Sequence, residues 1–133
     1  MDYQDQAAYL AQTYCCTEAL VRFGLWLKNE ENPLLVKASG GLCNGMYSGF
    51  NCGALAGGCM LLSMFDRGLA ARVMIPELTE WFDSVYGIEY GSINCEDLRG
   101  GSPKATMDFC RPLICAIAEK CVEILQNNKL LEE

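Results

Sequence analysis

The twenty residues from Gly40 to Cys59 constrain this chain more than any other stretch. They hold seven of its thirteen glycines and three of its nine cysteines. Glycine at this density requires backbone that passes through positive φ or comes very close to another segment. After Phe50 the pattern changes. Asn51 is placed to cap a helix, and residues 52–65 read as a buried helix with small residues along one side. Cys52 then falls in the first turn, where unpaired N–H groups and the positive end of the helix dipole favour a thiolate over a thiol.

Nine cysteines and no histidine narrow the chemistry further. An odd count rules out a fully paired intramolecular disulfide framework. Without histidine, Ser-His and Cys-His nucleophile systems, His-containing zinc sites and C-x-x-C-H haem attachment are excluded. No C-x-x-C pair occurs, which argues against thioredoxin-like, rubredoxin-like, zinc-ribbon and bacterial ferredoxin arrangements. A net charge of −7 leaves no basic stripe to neutralise phosphates, so nucleic acid is not an expected partner. The N-terminal Met-Asp-Tyr-Gln-Asp-Gln has neither the basic nor the apolar region of a secretory signal. No apolar run reaches the roughly 18–20 residues that span a bilayer. The expectation is one globular domain in the reducing cytoplasm.

Hydrophobic periodicity predicts an all-α bundle of five to six helices, with the glycine-rich loop before the central one. Residues 3–28 read as one long amphipathic helix, with Ala7, Ala11, Tyr14, Ala19, Leu20, Phe23 and Leu27 on its apolar side. Pro33 opens a short helix that runs into the glycine region at residue 42. Asp66-Arg67-Gly68 reads as a turn. Residues 69–86 are again helical, with Leu69, Val73, Ile75, Leu78, Trp81, Phe82, Val85 and Tyr86 inward, and Pro76 marking a kink or a new start. Glu77, Glu80 and Asp83 form a solvated face, and Gly87 is a C-cap. A short helix near Cys95 follows, capped by Ser92 or Asn94, and then a break at residues 100–103. The last helix is expected from about Met107 to Gln126, starting close to Cys110.

Sorted by surroundings, Cys52, Cys95 and Cys110 stand at or just before helix starts, beside loops that contain glycine or proline. Cys15 and Cys16 fall mid-helix, and a disulfide between such neighbours would need strained geometry. Cys59 lies on nearly the same helical face as Cys52. Cys115 and Cys121 sit in the apolar part of the last helix, where packing is the expected role. Any common site must be assembled from distant segments.

At these residues the chain resembles a known family, the small redox-active proteins named for a C_GCAxxG_C_C signature. Cys52-Gly53-Ala54-Leu55-Ala56-Gly57 matches the Cys-Gly-Ala-x-x-Gly motif at every fixed position. Cys16-Thr17-Glu18-Ala19-Leu20 looks like the segment of the family's first cysteine. Phe82 to Gly87 and Cys95-Glu96-Asp97-Leu98 look like that of the third, and Cys110 like the fourth, which opens the terminal helix. One departure is that Gly41-Leu42-Cys43-Asn44-Gly45 replaces a Gly-Phe-Gly-Gly-Gly-like loop, and this extra thiol either joins the site or decorates it. Split-Soret cytochromes look related to the family and carry an iron–sulfur centre besides haem. With no histidine here, only the iron–sulfur part of that analogy could transfer.

Three functions follow. In the first, Cys16, Cys52, Cys95 and Cys110 hold an iron–sulfur cluster, most simply a two-iron one. Gly53 and Gly57 let backbone approach it, and the role is one-electron transfer rather than substrate turnover. In the second, Cys52 is an attacking or sensing thiolate, and another family cysteine such as Cys110 resolves it. In the third, the chain is an all-α interaction module whose cysteines pack or bind structural zinc. The partner expected for the redox readings is a redox protein or a small redox molecule. A homodimer is compatible with the sequence.

Overall fold

A computed structural model describes residues 2–87, Asn94 and 105–132 of the chain. Among them the architecture is all-α. Helix α1 spans Tyr3–Thr13, α2 Cys16–Lys28, α3 Pro33–Ser39 and α4 Gly53–Phe65. After a single turn α5 (Arg67–Leu69) come α6, Ile75–Phe82, and the long α7, Ala105–Asn127. Helix α4 lies in the middle, packed most extensively on α2 and also against α6 and α7, while α1 lies across α2 and α7. Phe23, Leu61, Leu62, Met74, Leu78, Phe82, Ile117 and Leu125 are completely or almost completely buried between these helices. A smaller cluster of Val21, Leu25 and Val36 seats α3 on the outer side of α2.

Local chemistry accounts for most boundaries. Asp2 caps α1 by accepting from the Asp5 N–H at 2.7 Å, and Asn32 caps α3 by accepting from Leu35 N–H at 3.1 Å, with Pro33 next in line. Helix α2 ends at Asn29, whose φ of 55° is the left-handed conformation asparagine tolerates. Asp66 turns the chain with an extended backbone and at once caps α5 through the Leu69 N–H at 3.0 Å. The expected turn at residues 66–68 is therefore a turn at Asp66 alone.

Four expectations are corrected. The single helix over residues 3–28 is two, because Tyr14 and Cys15 are extended (ψ 160° and 163°) and the chain bends there. Apolar periodicity runs through the bend because both helices bury the same side. The N-cap of α4 is Cys52, one residue past the expected Asn51, which instead pairs in an isolated antiparallel bridge with Asn94. Helix α7 begins at Ala105, so Cys110 lies within it. Pro112 is accommodated on the exposed side, where water can replace the hydrogen bond it cannot donate. Between residues 69 and 87 the helix contains two π-helical turns, Ala70–Met74 and Asp83–Gly87. Each adds a residue to the turn, and Val73 and Val85, one in each, are exposed. Glu80 and Asp83 are exposed as expected and Glu77 is half-buried. The helix and cap expected at residues 92–98, and the break at 100–103, lie outside the described residues apart from Asn94.

Candidate redox site at the N-terminal ends of two helices

The packing of α2 on α4 is set by missing side chains. A Cβ on Gly57 would stand 2.9 Å from Leu20 Cβ and 3.1 Å from Thr17 Cα, so the two backbones approach as closely as atoms permit. On another side of α4, a Cβ on Gly58 would meet Ile117 and Leu78, each at 2.9 Å. At the N-terminal end, a Cβ on Gly53 would fall 2.6 Å from Cys16 Sγ and 2.8 Å from the Leu42 carbonyl oxygen. The buried Thr17 hydroxyl donates to the Gly53 carbonyl at 2.7 Å and locks the two helix ends in register.

This register brings family cysteines together. Cys16 is the first residue of α2 and half-buried. Cys52 is the N-cap of α4 and only 5% exposed. Cys110 reaches the same region from α7, near enough for its charge, like that of Cys16, to act on Cys52. Gly53, the residue after Cys52, lies against the Cys16 sulfur, and Gly57 fixes the spacing one turn below. Cys95 lies outside the described residues. Asn94, its neighbour in sequence, bridges to Asn51, the neighbour of Cys52.

Two influences oppose each other at Cys52. Burial raises its pKa most, and the Cys16 and Cys110 thiols add to the rise; the Leu55 and Ala54 N–H groups lower it, although neither closes a capping bond of full geometry. Burial wins, and the thiol is pushed up from 9.0 to about 12. The expected thiolate is thus corrected: the helix start acts in the direction inferred, but the surrounding apolar side chains remove more hydration than two N–H groups return.

The remaining cysteines separate cleanly. Cys121 is fully buried and directs its sulfur toward the Gly58 carbonyl at 3.9 Å, and burial drives its pKa far upward. Burial pushes Cys59 up to about 11, and also raises half-buried Cys115. Cys15 and Cys43 form a disulfide with Cα atoms 6.1 Å apart. That pairing is absent from the expectations above. Its only sequence signal was that both cysteines lie outside the family set yet directly beside landmarks of it.

The donor set suits an iron–sulfur group: the ligands on offer are thiols, the missing side chain of Gly53 lets Cys16 Sγ come against the start of α4, and the Leu55 and Ala54 N–H groups act on the Cys52 sulfur. Among the described residues no three Cys, Asp or Glu side chains are gathered as they stand around a single-ion position. No helix among them is long and apolar enough to cross a membrane.

No curated protein and no solved structure matches the chain. A family model described as "Putative redox-active protein (C_GCAxxG_C_C)" matches residues 14–124, a span that includes every cysteine of the site. The chain therefore belongs to the C_GCAxxG_C_C family of redox-active proteins.

Proposed function

We propose that the protein transfers single electrons through an iron–sulfur cluster held by Cys16, Cys52, Cys95 and Cys110. The observation that supports this reading is the close approach of Cys16 Sγ to the bare α-carbon of Gly53, the residue after Cys52, with Cys110 near enough for its charge to act on Cys52. A bound cluster supplies a one-electron couple. The chain's own contribution is positional: Gly53 and Thr17 hold the ends of α2 and α4 together, and the Ala54 and Leu55 N–H groups favour negative charge on the Cys52 sulfur. Coordination deprotonates a thiol outright, so the burial that opposes a free Cys52 thiolate is no obstacle to a ligating one. The same burial weakens the reading in which Cys52 attacks a disulfide at neutral pH, since the reactive species is the thiolate. The partner is a redox protein or a small redox molecule.

Anaerobic reconstitution with iron and sulfide tests this. Brown protein with iron and sulfide in equal amounts is expected, together with loss of both, at least tenfold, in Cys52→Ser and Cys110→Ser. Wild-type protein that stays colourless and binds neither sinks the reading. One zinc bound in their place, held by these same cysteines, would move the assignment to a structural zinc site.

A further inference from the structure

Two cysteines outside the family set are joined in the structure, and both ends of the bond touch the site's framework. Cys15 immediately precedes Cys16 and is the N-cap of the thirteen-residue helix α2. Cys43 follows Leu42, whose carbonyl lies against Gly53. The bond thus fastens the glycine loop to the start of α2.

We propose that Cys15–Cys43 is a second redox centre, a two-electron dithiol/disulfide couple that takes its electrons from a dithiol reductant and, when reduced, frees the glycine loop from α2. The reading goes beyond electron transfer through iron and stands whether or not the neighbouring thiols bind any.

Two observations argue for a working couple and against an inert staple. Cys43 is completely buried while Cys15 is only partly so, which makes the Cys15 end of the bond the more accessible side for a reductant. The fastened segment is also conformationally costly: Asn44, Gly45, Met46 and Tyr47 all have φ between 53° and 61°, and Met46, Tyr47 and Phe50 are exposed. Left-handed backbone is unfavourable at Met and Tyr, so the loop has reason to rearrange once its tether opens.

The chemistry balances within the pair and its reductant. One thiolate of the dithiol attacks Cys15 Sγ, the Cys15–Cys43 bond breaks, and Cys43 leaves as a thiolate that takes a proton. The reductant's second thiolate then attacks its own bridged sulfur, and Cys15 leaves as a thiolate and is protonated. Two electrons pass to the protein, and the dithiol becomes a disulfide.

The test uses the wild-type full chain, free of iron, oxidised in air and held in native buffer. Differential alkylation with peptide mass mapping follows residues 15 and 43 after addition of dithiothreitol. Amide hydrogen exchange follows the loop. The two cysteines should pass together from linked to fully alkylated without denaturant. Glutathione, a monothiol, should leave its mixed disulfide on Cys15 at least tenfold more often than on Cys43. Exchange at residues 44–50 should quicken at least tenfold on reduction, read at exchange times too short for residues 117–125 of α7 to exchange in either state. A bond that resists dithiothreitol until the protein is unfolded, or that never forms in air, overturns the couple. A mixed disulfide mainly on Cys43 overturns the order of attack, and loop exchange unmoved by reduction overturns the release. Iron is absent from every measurement, so failure of the cluster reading leaves each outcome legible.

Discussion

Cys52 shows what a residue's sequence position can and cannot reveal. Its place at a helix start was legible from Asn51 and the small residues that follow, and so was the direction in which backbone N–H groups act on it. The degree of burial was not, because Cys52 is enclosed by segments far away in the chain. Cys59 and Cys121 make the same point in a form that titration can check. Both have a folded-state pKa raised by burial from 9.0, Cys59 to about 11. The folded protein therefore holds protons that the unfolded chain releases between those values. The stability these thiols contribute is complete below about pH 9 and is lost as pH rises toward 11. Urea denaturation at pH 7.5 and pH 10.5 should show a lower midpoint at the higher pH, and Cys59→Ala should reduce that difference. Thr17 allows a second check. Its hydroxyl donates to the Gly53 carbonyl in a fully buried position, so Thr17→Val should lose about 1 kcal/mol in chemical denaturation.

Among the elements, α4 was the one most fully legible, because glycine, alanine and leucine in that order specify a helix that other helices can approach closely. Gly57 is where this can be measured. Alanine there would bring a methyl to 3.0 Å from the Thr17 carbonyl oxygen, and overpacking of this kind costs about 1–3 kcal/mol. Better helix propensity returns up to about 1 kcal/mol. A net loss of about 1–2 kcal/mol is expected for Gly57→Ala by urea denaturation, with the helical circular dichroism signal intact. The bend between α1 and α2 was not legible. Its two residues interrupt neither the apolar stripe nor the polar one, and no proline or glycine marks it. The extended conformation at Tyr14 and Cys15 goes with the disulfide to Cys43 and with the opening of a new helix at Cys16, all of which depend on distant parts of the fold. The π-helical turns at Ala70–Met74 and Asp83–Gly87 were not legible for a similar reason, since one extra residue per turn leaves apolar spacing nearly helical.

For the whole molecule, the all-α class and the order of the family's landmarks were readable along the chain, whereas the pairing that spans 28 residues was not. Its weight in the fold can be measured. Opening a bond that closes a loop of this length should lower stability by about 3 kcal/mol, read as the difference in urea denaturation between oxidised and fully reduced protein. The two packing clusters imply that α3 contributes less than the rest, because its one buried apolar residue, Val36, joins Val21 and Leu25 outside the main core. At the opposite extreme stands Cys121, shut beneath the Gly58 carbonyl at the crossing of α4 and α7. No reagent larger than water reaches that sulfur while those helices touch. Nature has thus left a silent clock in the middle of the bundle: the rate at which a bulky probe finds Cys121 counts the moments when α7 parts from α4.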